Sequence, residues 1–154
     1  GAYRRARAAG RTRSVPAAPA PDVEDRPAEM SDLIVFDYLT NNLDRWGGHN
    51  TNIRTVGEGG PLMFLDNAAA FTLGRARIPL MDRRLHQVQR FRRETIDAVR
   101  DLDVEAFQAR LAADPLAPTL SERQLANLKV RRRHLHEHVD GLVERHGEDA
   151  VYAW

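Results

Sequence analysis

Beyond Pro79, apolar side chains recur at the α-helical period of about 3.6 residues. Arginines occupy the other face of the same stretch, as in an amphipathic helix that lies on a core. The pattern predicts one continuous helix of about six turns. Its inward-facing positions are Met81, Leu85, Val88, Phe91, Thr95, Val99 and Leu102.

Two further helices are predicted after this one. A short helix over 103–113 is followed by a loop that contains prolines. The last helix begins at a capping box, Ser121 to Gln124, and Gly147 is a natural stop for it. The chain is therefore predicted to be helical over 79–146.

The N-terminal part divides into a tail and a first helix. Residues 1–30 are rich in arginine, alanine and proline and have few large apolar side chains, so we expect a disordered or linker tail. The stretch 31–44 is dense in apolar groups at helical spacing, and a helix is favoured there. The β-branched residues Ile34 and Val35 leave a buried strand as the alternative.

A β-hairpin is predicted between the first helix and the helical part. Two short apolar runs, 53–56 and 62–65, are separated by a glycine-rich stretch. The predicted fold class is therefore mainly α with a small β-hairpin.

Composition excludes several classes of function. The chain has 154 residues and no cysteine, so it has no disulfide, no thiolate zinc site and no cysteine nucleophile. Its net charge of +1 gives no argument for a nucleic-acid partner. No apolar run approaches the roughly 20 residues of a membrane span, and no signal peptide is recognisable, so the compartment stays undetermined.

Polar side chains are concentrated on both sides of the hairpin. The loop at 41–52 is rich in Asp, Asn and His, and Asp66 follows the second apolar run. Carboxylate and amide oxygens suit a Mg²⁺ ion that carries substrate phosphates. Phosphoryl transfer uses one aspartate as the base, and an asparagine and a second aspartate to hold the metal. On this pattern Asp44 is the base, and Asn50 and Asp66 are metal ligands.

Structural interpretations of these polar residues also remain open. Asn and Asp form Asx-turns and helix caps, and spacing alone favours that role over catalysis. Trp46 either shapes a substrate surface or anchors the loop. His134 and His138 have a zinc-like i, i+4 spacing, but without an HExxH motif a solvated helix face is favoured.

Two longer motifs occur in this region: DLIVFDYLTNNLDR over 32–45 and GPLMFLDNAAAF over 60–71. In this order, with a hairpin between them, they resemble the catalytic core of the four-jointed family of secretory-pathway protein kinases, relatives of the Golgi casein kinase. The resemblance covers roughly 31–102 and implies a protein-kinase-like C-terminal lobe over 31–154. The expected parts are the catalytic loop at 41–52, the hairpin at 53–65, the metal-binding motif at 65–71 and the helical part at 79–146.

The resemblance also implies roles for individual residues. Asp44 matches the catalytic aspartate of the family, and Arg45 follows it as in the family. Asp66 matches the metal-binding aspartate, with Asn67 beside it in the nucleotide site.

The second metal ligand is less well defined by the sequence. The family pattern places an asparagine five residues after the catalytic aspartate, where this chain has His49. Asn50 fits if one of the preceding glycines is an insertion, and Asn52 is a weaker candidate.

Lys129 is the only lysine of the chain. A protein kinase holds the α- and β-phosphates with a lysine of its N-terminal lobe, under a Gly-rich loop. Lys129 follows the catalytic motifs, and the glycines of the hairpin lack a following Gly-Lys-Ser/Thr sequence. We therefore expect a C-terminal lobe whose N-terminal lobe is missing, as in a fragment of a longer reading frame.

The resemblance implies transfer of the γ-phosphoryl group of ATP, with Mg²⁺ or Mn²⁺, to a Ser or Thr hydroxyl of a protein substrate, once an N-terminal lobe is supplied. Nucleotide and protein are the expected partners. Animal members of the family are in the Golgi or secreted. The alternative is a non-catalytic helical interaction module or a pseudokinase remnant, because the phosphate-binding lysine and Gly-rich loop are not found.

Overall fold

The computed structural model describes residues 25–46, 52–72, 74–116 and 119–154. Helices predominate in these ranges, and one antiparallel hairpin accompanies them, so the predicted fold class is confirmed. The elements are α1 (Arg26–Thr40), a 3₁₀ turn (Asp44–Trp46), β1 (Ile53–Thr55), β2 (Leu62–Phe64), α2 (Pro79–Gln87), α3 (Arg93–Arg100), α4 (Val104–Ala113), α5 (Glu122–His146) and α6 (Glu148–Val151).

Helix α1 begins before the predicted boundary at residue 31. Pro27 lies in its first turn. Backbone N–H groups there have no acceptor within the helix, so the absence of an N–H in proline costs no hydrogen bond. Ala28 is fully buried, so 26–30 belong to the packed domain and not to a tail. Residues 1–24 of the predicted tail lie outside the described part of the chain.

The same helix ends at Thr40, earlier than predicted. Asn41 adopts the left-handed conformation with φ 57°, which asparagine tolerates at a helix C-terminus. Asp44 therefore lies in a separate 3₁₀ turn. Leu43 lies within the predicted helix of 31–44 but beyond the end of α1, and it is 36% exposed.

The predicted hairpin is confirmed, with strands one residue shorter than expected. Ile53 pairs with Phe64 in an antiparallel register. The connecting turn requires glycine at Gly60, because a Cβ there would lie 1.9 Å from the carbonyl oxygen of Val56.

The predicted six-turn helix is wrong in its continuity: the chain is not helical over 88–92, between α2 and α3. Distant groups bond the backbone there. The N–H of Phe91 donates to the carbonyl of Val151 at 2.8 Å, and Nε2 of His138 lies 3.0 Å from the carbonyl oxygen of Val88. Val88 and Phe91 are nevertheless buried, as their period predicted.

Helix α1 is the centre of the packing, because it contacts α2, α5 and β2. Leu33 and Tyr38 on α1 and Leu135 on α5 have no exposed surface. The predicted capping box at the start of α5 is confirmed: the hydroxyl of Ser121 accepts from the N–H of Gln124, whose amide in turn accepts from the N–H of Ser121. No helix in the described ranges is long and apolar enough to cross a membrane.

A buried arginine ties α5 to the segments around it. Nε of Arg131 donates to the carbonyl of Leu39 at 2.8 Å, and Nη1 donates to that of Ala76 at 3.0 Å. Burial lowers the pKa of Arg131 to about 10. The side chain thus fastens the end of α1 to the segment that leads into α2.

Candidate active site

The two aspartates predicted to be catalytic and metal-binding are both exposed. The side-chain oxygen of Asn42 accepts from the N–H of Asp44 at 3.3 Å, and Nδ2 of Asn52 lies 3.5 Å from a carboxylate oxygen of Asp44. Asp66 has a positive φ of 48°, and its Oδ1 accepts from the N–H of Ala68 at 3.3 Å. Local hydrogen bonds therefore orient both carboxylates without removing them from solvent.

Arg45 brings the two aspartate motifs together. Its Nη1 donates to the carbonyl of Leu65, and its Nη2 donates to the side-chain oxygen of Asn67. Arg45 directly follows Asp44, while Leu65 and Asn67 flank Asp66. The structure thus joins the predicted catalytic loop to the predicted metal-binding motif through one guanidinium group.

Asp37 of α1 supplies the opposite charge. Nε of Arg45 lies 3.2 Å from both carboxylate oxygens of Asp37, and Nη2 lies 3.1 Å from Oδ1. The indole N–H of Trp46 donates to Oδ2 at 3.1 Å. Burial raises the pKa of Asp37, and the hydrogen bonds from Arg45 and Trp46 oppose that rise. We call Asp37, Arg45, Trp46 and Asn67 the brace; Asp37 and Arg45 are buried, Trp46 is half-buried and Asn67 is exposed.

The brace changes what its members can do. Arg45 is fully buried, so its side chain is not exposed to a substrate. The hydrogen bond of Trp46 favours the loop-anchor interpretation over a substrate surface. Asn67 also donates through Nδ2 to the carbonyl of Phe64 at 3.1 Å, so both polar atoms of its amide have partners within the chain.

The donor set fits an open metal site. Among the described residues, no three His, Asp or Glu side chains gather closely enough to hold an ion. Two exposed carboxylates are hard oxygen ligands of the kind that Mg²⁺ shares with substrate phosphates. Asn50, the predicted second ligand, and His49, the alternative to it, lie outside the described residues. Asn52 is engaged with Asp44.

Sequence reasoning missed Asp37. The available signal was a charged side chain between Phe36 and Tyr38, in the most apolar part of α1. A charge is almost never fully buried unless it is paired, so its position pointed to an unidentified partner.

The histidines of α5 do not form the solvated face that was predicted. The ring centroid of His86 lies 5.3 Å from that of His134 and 5.0 Å from that of His138. The hydroxyl of Tyr38 lies 2.8 Å from Nδ1 of His134 and donates to Asp82 at 3.0 Å. Burial lowers the pKa of His134 and of His138. We call His86, His134 and His138 the imidazole cluster.

Lys129 contacts a carboxylate of the helical part, whereas the lysine of a kinase N-terminal lobe contacts nucleotide phosphates. Its ammonium group pairs with the carboxylate of Glu105, which joins α4 to α5. Both side chains are more than half exposed. The pair is therefore a surface contact of the helical part.

Comparison with known proteins assigns the chain to a family. Residues 12–151 match the family described as Fam20C: Golgi casein kinase, C-terminal, Fam20. The chain belongs to this family. The resemblance to four-jointed and Golgi casein kinases that the two motifs indicated is thereby confirmed, and the chain is a kinase-like C-terminal domain.

Two individual relatives agree with the family assignment. Four-jointed box protein 1 of Xiphophorus maculatus is 29% identical over 146 residues, and the match covers 78% of this chain and 34% of that protein. The structure of hydra Fam20 with sugar matches with a TM-score of 0.60 and 20% identity, covering 82% of this chain and 37% of that one. The second match shows that the fold is shared. The chain thus spans about a third of the length of both relatives.

Proposed function

We propose that this chain carries the catalytic and metal-binding aspartates of a Ser/Thr protein kinase. The observation that carries the proposal is the bridge from Arg45 to Leu65 and Asn67, because it holds the residue after Asp44 against both neighbours of Asp66. A kinase requires these two aspartates at one site. The family of the chain supports the same activity.

The two aspartates have different tasks in this proposal. Asp44 orients the attacking hydroxyl group of the protein substrate and accepts its proton. Asp66 would hold Mg²⁺ or Mn²⁺, with Asn50 as the predicted second ligand. A bound divalent ion neutralises charge on the phosphates of ATP. Asn52 and Asn42 keep the carboxylate and backbone of Asp44 in place.

In our proposal, Lys129 is not the lysine that binds the α- and β-phosphates of ATP. Lys129 is paired with Glu105 on the helical part. We propose that a further lobe, which the natural protein adds to this chain, supplies the phosphate-binding lysine and the Gly-rich loop. The greater length of both relatives supports this proposal.

Calorimetric titration of the natural full-length protein with Mg-ATP tests the proposal. Asp66→Asn removes one charge without changing the shape of the side chain, and we expect it to weaken binding by about tenfold or more. Asp149→Asn, at another exposed aspartate, is the matched control and should bind like the wild type. Equal affinity for wild type and Asp66→Asn would contradict the metal-binding role. No binding by the wild type would favour the pseudokinase alternative.

A further inference from the structure

We propose that Asp37 is a positioning residue of this active site. Its carboxylate fixes the turn that carries Asp44 and, through Arg45, the segment that carries Asp66. The inference rests on the proposed function and adds to it a residue that lies beneath the site.

Asp37 acts from a rigid support. It lies in the last turn of α1 and has no exposed surface, and α1 itself packs against α2, α5 and β2. Its two oxygens accept from Arg45 and Trp46, which are the two residues directly after Asp44. One carboxylate therefore fixes the orientation of the 3₁₀ turn on the helix.

The guanidinium plane transmits this orientation to the second motif. The Nε edge of Arg45 faces Asp37, while its outer nitrogens reach the carbonyl of Leu65 and the amide of Asn67. Nη1 also donates to the carbonyl of Asn52 at 3.0 Å. Because a guanidinium group is planar and rigid, fixing one edge fixes the directions of the other donors. The relative placement of Asp44 and Asp66 therefore depends on the Asp37–Arg45 pair.

A purely stabilising role explains this pair less well. Two charges that are fully buried must be desolvated, and an apolar pair of similar volume is often equally stable or more so. The chain also shows how it fastens scaffold segments without a carboxylate, since Arg131 bonds only to backbone carbonyls in the described structure. The charged pair lies instead where the two aspartate motifs meet.

The test compares stability with turnover in the natural full-length protein. Replacing the pair by Asp37→Leu with Arg45→Met removes both charges and leaves no unpaired charge. The variant also removes the hydrogen bonds to Leu65, Asn52 and Trp46, so we expect its stability in urea to lie between those of the wild type and Arg45→Met. We expect kcat for phosphoryl transfer to fall about a hundredfold, since small misplacements of reacting groups have effects of this size. KM for the protein substrate should change less than about threefold, because the substrate surface is not altered.

A matched double variant controls for the loss of an ion pair. Arg100 and Asp140 pair at 2.6 Å between α3 and α5, on the exposed surface. Arg100→Met with Asp140→Leu should leave both kcat and KM at wild-type values. Loss of activity in this control equal to the loss in the Asp37 and Arg45 variant would overturn the positioning role.

A conservative variant covers the case in which the apolar double variant does not fold. Arg45→Lys retains a cation beside Asp37 but loses the planar fork that reaches Leu65 and Asn67. We expect a folded protein whose kcat falls at least about tenfold and whose KM is little changed. Wild-type kcat in Arg45→Lys, or in a folded double variant, would overturn the inference while leaving the proposed function intact. If the wild type neither binds Mg-ATP nor transfers phosphate, the proposed function itself fails, and the positioning role fails with it.

Discussion

Two polar clusters use neighbouring residues of α1. Asp37 contributes its carboxylate to the brace, and the hydroxyl of Tyr38 contacts His134 of the imidazole cluster. Consecutive residues of an α-helix project about 100° apart, so the two clusters lie on different faces. The brace pairs opposite charges and joins loops, whereas the imidazole cluster lies between α2 and α5. The fully buried Asp37–Arg45 pair thus lies where loops must be oriented, whereas the imidazole cluster, with Asp82 beside it, lies where two helices pack.

The largest effect is expected from breaking the brace on one side only. Arg45→Met leaves the carboxylate of Asp37 buried and unpaired, which we expect to lower the free energy of unfolding by about 3–5 kcal/mol. Urea denaturation measures the change, and Arg54→Met, at an exposed arginine of β1, is the control. A loss of less than about 1 kcal/mol would show that the brace is not a tightly coupled pair.

A smaller loss is expected on the other face of α1. Tyr38→Phe removes a hydroxyl that donates to Asp82 and contacts Nδ1 of His134, without leaving a large cavity. We expect the free energy of unfolding to fall by about 1 kcal/mol, the usual net value of such a hydrogen bond. A fall in the free energy of unfolding measured with urea, together with an unchanged kcat, would show that this cluster is separate from the active site. A loss as large as that of Arg45→Met would remove the contrast between the two clusters.

The imidazole cluster should also make stability depend on pH. Burial lowers the pKa of His134 and of His138, with His86 adding a smaller effect in the same direction. The unfolded chain therefore binds more protons, and stability is lost as the pH falls below the ordinary histidine value of 6.5. Denaturation midpoints measured across this range should fall on acidification, and less steeply in His134→Gln with His138→Gln. If the midpoint of the double variant changes with pH as steeply as that of the wild type, His134 and His138 do not control the pH dependence. Burial also lowers the pKa of His136, which accounts for the slope that remains in the double variant.

The smallest effect is expected at the surface. Lys129→Gln removes an exposed pair with Glu105 and should leave the denaturation midpoint unchanged within error. Titration with Mg-ATP should give wild-type affinity, because we assign the phosphate-binding lysine to another lobe. A large loss of nucleotide affinity would instead identify Lys129 as the phosphate-binding lysine.

Local patterns predicted the burial of apolar side chains better than the course of the backbone. Val88 and Phe91 are buried as their period indicated, although the helix is interrupted there. The interruption depends on partners far along the chain, Val151 and His138, which no local pattern contains. Caps and turns were more predictable, because Ser121 and Gln124 form their hydrogen bonds within one helical turn.

The candidate site was also predictable only in part, because local motifs can be found in the sequence and contacts between distant residues cannot. Asp44 and Asp66 stand in motifs that can be found in the sequence, so their pairing across a hairpin was expected. The role of Asp37 was not, because it follows from a contact with Arg45 that exists only when α1 and the 3₁₀ turn pack together. The imidazole cluster was missed similarly, since His86 and His138 come from different helices.

The base role of Asp44 is tested most directly by the phosphoryl-transfer kcat of Asp44→Asn in the natural full-length protein. The substitution retains the shape of the side chain and removes its ability to accept a proton, and we expect kcat to fall by about 10²–10⁴-fold, the usual contribution of a general base. Mg-ATP affinity should be nearly unchanged, because Asp66 holds the metal. Wild-type turnover by a folded Asp44→Asn variant would contradict the assignment of the catalytic base and, with it, the proposed active site.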